Sequence, residues 1–122
     1  MTRRLLAAAL FASMCAGAGC FDPEPHSLLS HNPSAKIPAI KEAVNQHDAK
    51  AIPNLIDDLS DDDPAVRFYA IEGLQRLTGQ TFGYLYYEDA PQRRPAVLKW
   101  KRWLNDQSTG EARGTSEPSP DP

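Results

Sequence analysis

Cysteine is scarce in this 122-residue chain, which has only Cys15 and Cys20. Cys15 lies inside an apolar leader and Cys20 at its end, so no intramolecular disulfide is expected to staple the fold. Histidine is limited to His26, His31 and His47. Two of these stand in Pro-rich sequence that fixes no geometry, and no pair is one helical turn apart, so no metal site is expected. The chain has no nucleophile elbow, no phosphate-cradling glycine loop and no spaced Ser/His/Asp grouping. Neither catalytic residues nor a cofactor are therefore expected, and the chain does not read as an enzyme. Basic charge is also short: 13 Lys and Arg face 16 Asp and Glu, for a net charge of −3. That balance gives no footprint for nucleic acid, so none is expected as a partner. Nor is there a long apolar run. A membrane-spanning helix needs about 20 apolar residues, whereas polar, Pro-rich sequence begins here at Asp22.

The two ends have definite characters of their own. Arg3 and Arg4 precede an uncharged stretch whose most apolar part is 5–14, followed by the small residues Ala16, Gly17, Ala18 and Gly19. This is the pattern of a secretory signal peptide, expected over 1–19. Gly17-Ala18-Gly19-Cys20 resembles a bacterial lipobox, with Gly17 where that family usually has Leu. The resemblance implies a lipid on Cys20 and attachment to the periplasmic face of a bacterial membrane as a cell-envelope lipoprotein. Ala16-Gly17-Ala18 also fits ordinary signal peptidase, and a cut after Ala18 would release a soluble secreted protein. Residues 20–33 carry Pro23, Pro25 and Pro33 among polar residues and are expected to form the anchor and a semi-extended tether, at roughly 3 Å per residue. Residues 106–122 are expected to form a disordered tail.

Between these ends, 34–105 reads as one small all-α domain of about four helices. Ser34 is expected to cap a first helix with Ile37, Ile40 and Val44 on one face. Asp48 is expected to cap a second, with Ala51 or Ile52, Leu55, Ile56 and Leu59 as its stripe. Pro38 and Pro53 are placed close to the first turns, where a missing N–H costs least. Asp63 and Pro64 open the third helix, and Gly79 stands where a C-cap belongs. In that helix Val66, Ala70, Leu74 and Leu77 recur at 3.6-residue spacing, leaving Arg67, Glu72, Gln75 and Arg76 to face water. An aromatic connector follows, with Phe82, Tyr84, Tyr86 and Tyr87. Pro91 or Pro95 is expected to open a last helix through Val97, Trp100, Trp103 and Leu104. The acidic run Asp57, Asp58, Asp61, Asp62 and Asp63 lacks the spacing of a calcium loop and reads as capping and a solvated turn.

The segment 48–77, with Asp63-Pro64-Ala65-Val66-Arg67 at its second helix and Ala70 and Leu74 beyond, resembles a HEAT repeat. The resemblance implies a short right-handed stack of helices that binds other macromolecules. Asp63, Pro64, Val66, Arg67, Ala70 and Leu74 would be its structural residues, and Arg67 would pair with Asp63 or Asp61. Solenoids need about three repeats to bury their faces. With one clear repeat here, the aromatic connector and the Trp100–Trp103 helix are expected to cap the stack. Phe82, Trp100 and Trp103 are assigned to packing. Tyr84, Tyr86 and Tyr87 are left partly exposed as the candidate partner surface, because Tyr carries much of the energy of many interfaces. The expected function is a non-catalytic, lipid-anchored adaptor or accessory subunit with an unidentified protein partner. The alternative is a small ligand- or metal-binding protein, or a minor envelope enzyme, using the tyrosines and the acidic turn.

Overall fold

A computed structural model describes residues 25–114, and the side chains of 25–111. The expected signal peptide, Cys20 and the end of the tail at 115–122 lie outside the described residues. Within them the chain is all-helical: α1 (Pro33–Asn45), α2 (Ile52–Asp58), α3 (Pro64–Thr78) and α4 (Ala90–Gly114), with a 3-10 turn, Ala49–Ala51, leading into α2. None of these helices is long and apolar enough to cross a membrane.

Each start follows from local chemistry. Asp63 has extended backbone, and its side chain accepts from the Ala65 N–H at 2.7 Å. Pro64 then occupies a position whose N–H would have no intrahelical partner. Asp48 caps the 3-10 turn through the Lys50 N–H at 3.0 Å. Ser34 is not the first cap. Asn32 takes that role, accepting from the Ser34 N–H at 3.0 Å, so α1 starts at Pro33 and Pro38 falls inside the helix. Gly79 ends α3 at φ 75°, a left-handed conformation in which only glycine avoids a Cβ clash, and its N–H donates to the Gln75 carbonyl at 2.8 Å.

α3 is the hub, packing against α1 on one side and α2 on the other, while α4 lies on α2. Leu55, Leu59, Val66, Ala70, Leu74 and Trp100 are fully buried where these elements meet. Each buried Leu or Val contributes about 1.5–3 kcal/mol relative to exposure. Phe82 and Trp103 stand edge-on to Trp100, with centroids at 4.7 and 5.6 Å, so the connector and α4 close the core together.

Two segments differ from expectation. Residues 25–32 are not all tether: Leu28 packs against the core and Ser30 is buried. α4 runs on to Gly114, through sequence expected to lack structure. Its exposed C-terminal turns are held by the helical backbone, with Ser108 and Thr109 bonding back to the carbonyls of Leu104 and Asn105.

At Gly73, α3 packs against side chains of α1 and α2 with no room for a Cβ. A Cβ there would lie 2.7 Å from Val44 Cγ2 and 3.3 Å from Leu55 Cδ1, with Leu55 itself fully buried. Gly73→Ala is therefore expected to lower stability by about 1–3 kcal/mol in chemical denaturation, despite its gain in helix propensity. Combining it with Val44→Ala, which removes the clashing Cγ2, should cost less than the sum of the two single changes; strict additivity would show that the helices do not meet there.

Candidate interaction surface

Arg67 was expected to face water and pair with an acid, but the structure buries it to 8 % exposure. Its Nη1 donates to the carbonyl oxygens of Asp61 and Asp62, both at 2.8 Å, and its Nε donates to the Tyr86 carbonyl at 2.9 Å. No ion pair forms with Asp61 or Asp63. The rigid guanidinium instead reaches three carbonyls on two loops, a geometry that one ammonium could not copy. The acidic turn and the aromatic connector are thus both fastened to the start of α3.

That fastening sets out a row of rings. Tyr86 lies edge-on to Phe68 at 5.1 Å between centroids, Phe68 to Tyr69 at 5.2 Å and Tyr86 to Tyr87 at 5.3 Å. Lys41 adds its ammonium 5.3 Å from the Tyr69 centroid, within cation–π range. Phe68 and Tyr87 are exposed, Tyr87 to 67 %, and Tyr69 and Tyr86 are half-buried. Beside Tyr69 a small groove of about 110 Å³ opens between α1 and α3, with Lys41, Glu72, Gly73 and Arg76 in its wall. Tyr84 does not belong to this surface. It is 4 % exposed, and its hydroxyl donates to the Leu59 carbonyl at 2.5 Å, satisfying an oxygen at the end of α2. Burial pushes its phenol pKa up, against the pull of Arg93 and Arg67.

The other sequence-derived residues divide simply. Val66, Ala70 and Leu74 are core, Asp63 and Pro64 form the helix start, and Cys20 lies outside the described residues. Phe68, Tyr69 and Lys41 were missed. The helical pattern marks Phe68 and Tyr69 as residues off the main stripe, and only the contact of Phe68 with Tyr86 joins them to the rings of the connector.

A second cluster was also missed. Lys36, buried at the start of α1, donates to Asp58 Oδ1 at 2.8 Å and to Asp61 Oδ2 at 2.9 Å. Burial raises the Asp58 pKa above the ordinary 3.8, against the pull of Lys36, and Asp58 Oδ2 has no hydrogen-bond partner. Asp61 goes the other way: burial opposes its charge, but the Asp63 N–H, Lys36 and Arg67 hold it below the ordinary value. Lys36 is raised, since its two carboxylates outweigh its desolvation. Among the described residues, no three His, Cys, Asp or Glu side chains gather as metal ligands.

The chain matches no protein-family model, no curated protein and no solved structure. Its surface must therefore be read from its own geometry.

Lys36→Met would leave Asp58 buried without its cation, a loss expected to cost about 3 kcal/mol at neutral pH. An acid whose pKa is raised on folding weakens the fold as it ionises. The penalty is therefore full above the raised value and relieved as pH falls toward 3.8. The deficit of Lys36→Met relative to wild type should shrink between pH 7 and about pH 4 in urea titrations. A deficit that grows on acidification would contradict this account of the pair. In wild type the Lys36 contribution is present at neutral pH and is lost as pH rises through its raised value, above 10.5.

Proposed function

We propose that this protein is a non-catalytic interaction module, acting as an adaptor or accessory subunit in the cell envelope. The observation that carries the reading is the exposed ring row Tyr69, Phe68, Tyr86 and Tyr87, held on a rigid helical body by Arg67. Edge-to-face aromatics lose little conformational freedom on binding and offer a large apolar area, which is why such residues dominate interface energetics. The occupant is a protein partner.

A HEAT-like stack fits this role. α2 and α3 would form the one repeat, α1 would be the second helix of a degenerate preceding repeat, and α4 the first helix of a following one. The pairing of α1 with α3 and of α4 with α2 supports that arrangement. In it, the connector with Phe82 and Tyr84 covers one open edge, and Leu28 packs at the other. The same arrangement explains how a single repeat buries its faces without a third.

The address rests on the sequence. Gly17-Ala18-Gly19-Cys20 supports processing as a lipoprotein with the lipid on Cys20. A ligand-binding or enzymatic role would need unspent polar groups beneath the tyrosines. Arg67, which lies behind Tyr86, is engaged with backbone carbonyls.

Affinity purification from crosslinked cells tests the reading, comparing tagged wild type with Phe68→Ala, Tyr87→Ala and the Cys20→Ala form. The two ring variants are expected to keep native-like melts and to lose recovery of a saturable partner by about tenfold or more each. Loss in Cys20→Ala alone would assign the interaction to the anchor rather than the rings. Undiminished recovery in both ring variants would refute the surface.

A further inference from the structure

The charges of this acidic chain are segregated. α4 carries Arg93, Arg94, Lys99, Lys101 and Arg102, with Asp106 as the single acid between 90 and 110, while acids outnumber bases over the rest of the described domain. The two classes do not neutralise each other across the fold. Lys36 and Arg67 are the cations that serve the acidic turn, Arg76 pairs with Glu72, and Arg94, Lys99, Lys101 and Arg102 make no ion pair among the described residues.

The helix phase gives these cations a pattern. Trp100, Ala96 and Val97 point into the core, which turns Leu98 outward to 51 % exposure. Arg94, Lys101 and Arg102 lie four residues before, three after and four after Leu98, so one apolar side chain stands within a ring of three cations. All three are exposed, and Arg102 Nε reaches only the Leu98 carbonyl, at 3.4 Å. A groove of about 370 Å³ beside this ring has Val97 and Leu98 for its apolar wall and Arg93, Arg94 and Lys101 for its polar one, and ends at Ser60. Ser60 also borders a cleft with His31, Pro33 and the acidic turn Asp61, Asp62 and Asp63, so the N-terminal segment enters the domain at the same end, with that turn between it and the basic groove. From Pro25 to Cys20 the chain spans at most about 18 Å.

We propose that the outer face of α4, Leu98 ringed by Arg94, Lys101 and Arg102, seats the domain on anionic phospholipid head groups. The face is a second contact beside the Cys20 lipid, and for its setting it rests on the envelope reading above. Leu98 enters the interface while the long Arg and Lys stems lie along it and keep their charges at phosphate level. Trp100 takes no part, because it is fully buried. One lipid chain with a basic patch holds a protein more firmly than either alone. Seating α4 also fixes which way the domain faces.

The test uses the mature chain 20–122 with Cys20→Ala, so that no lipid anchor contributes. Its sedimentation is measured with vesicles of phosphatidylcholine alone and of phosphatidylcholine with 30 % phosphatidylglycerol, a proportion of about the order that gives strong surface potentials. Binding is expected with the anionic vesicles only, and should weaken steeply with salt. Each cation contributes on the order of fivefold near an anionic surface, so Arg94→Glu/Lys101→Glu should reduce binding at least about thirtyfold. Leu98→Asp should reduce it as well, while Lys50→Glu, elsewhere on the surface, should not. Thermal melts of every variant establish that the fold is kept. Absent binding, equal binding to both vesicles, or a double variant that binds as wild type each overturn the proposal. Binding to polyglutamate without binding to vesicles overturns it in favour of an acidic protein. The mass of the native protein at Cys20 is read separately, so a missing lipid there would count against the anchor and not against this face.

Discussion

One buried guanidinium organises the surface of this domain. Arg67 stands at the start of α3 and holds the carbonyls of Asp61, Asp62 and Tyr86. Without it, three buried or half-buried carbonyls would lose their partners, each at about 1–3 kcal/mol. The loops before and after α3 would also lose their common fastening. The interaction is short in sequence on one side and nineteen residues long on the other, so it ties a local turn to a tertiary connector. That connector then brings Tyr86 against Phe68 and presents Tyr87.

The remaining structure distributes similar tasks between its two edges. On the side of α1, Lys36 joins that helix to the end of α2 and to the acidic turn through Asp58 and Asp61. On the side of α4, Tyr84 ties the connector to Leu59, and Phe82 stacks edge-on against Trp100. Phe82 does so at φ 51°, with Gly83 at φ 73° beside it. A phenylalanine in that region is strained, and its packing against the buried indole holds it there. A domain this small has little apolar area to spare. It gains closure from polar ties that each cross a large sequence separation.

What was legible in the sequence was local. Asp63-Pro64 and Gly79 mark the ends of α3 because cap chemistry acts within four residues, and Val66, Ala70 and Leu74 reveal its buried stripe by spacing alone. The all-helical class and the four helices followed from such signals. What was not legible depended on partners far along the chain. Arg67 sits beside the stripe, and helical phase leaves a residue there equally free to be wet or buried; the carbonyls that bury it come from other loops. Tyr84 looked like its neighbours Tyr86 and Tyr87 until a carbonyl at Leu59 distinguished it. Gly73 reads as a weak spot in a helix, yet the missing Cβ is what admits Val44. Asn32 and Ser34 are both good caps, and Asn32 won by accepting from the Ser34 N–H itself.

The central claim is that Arg67 positions the aromatic surface. The most direct measurement is the nuclear Overhauser contact between the Phe68 and Tyr86 rings in wild type and in Arg67→Met, recorded with the dispersion of the core methyls of Leu55 and Leu74. The account predicts a clear ring contact in wild type. In the variant that contact should be lost, either with the core methyls still dispersed or with the whole domain unfolded. A folded Arg67→Met protein that keeps the Phe68–Tyr86 contact at full strength would contradict it.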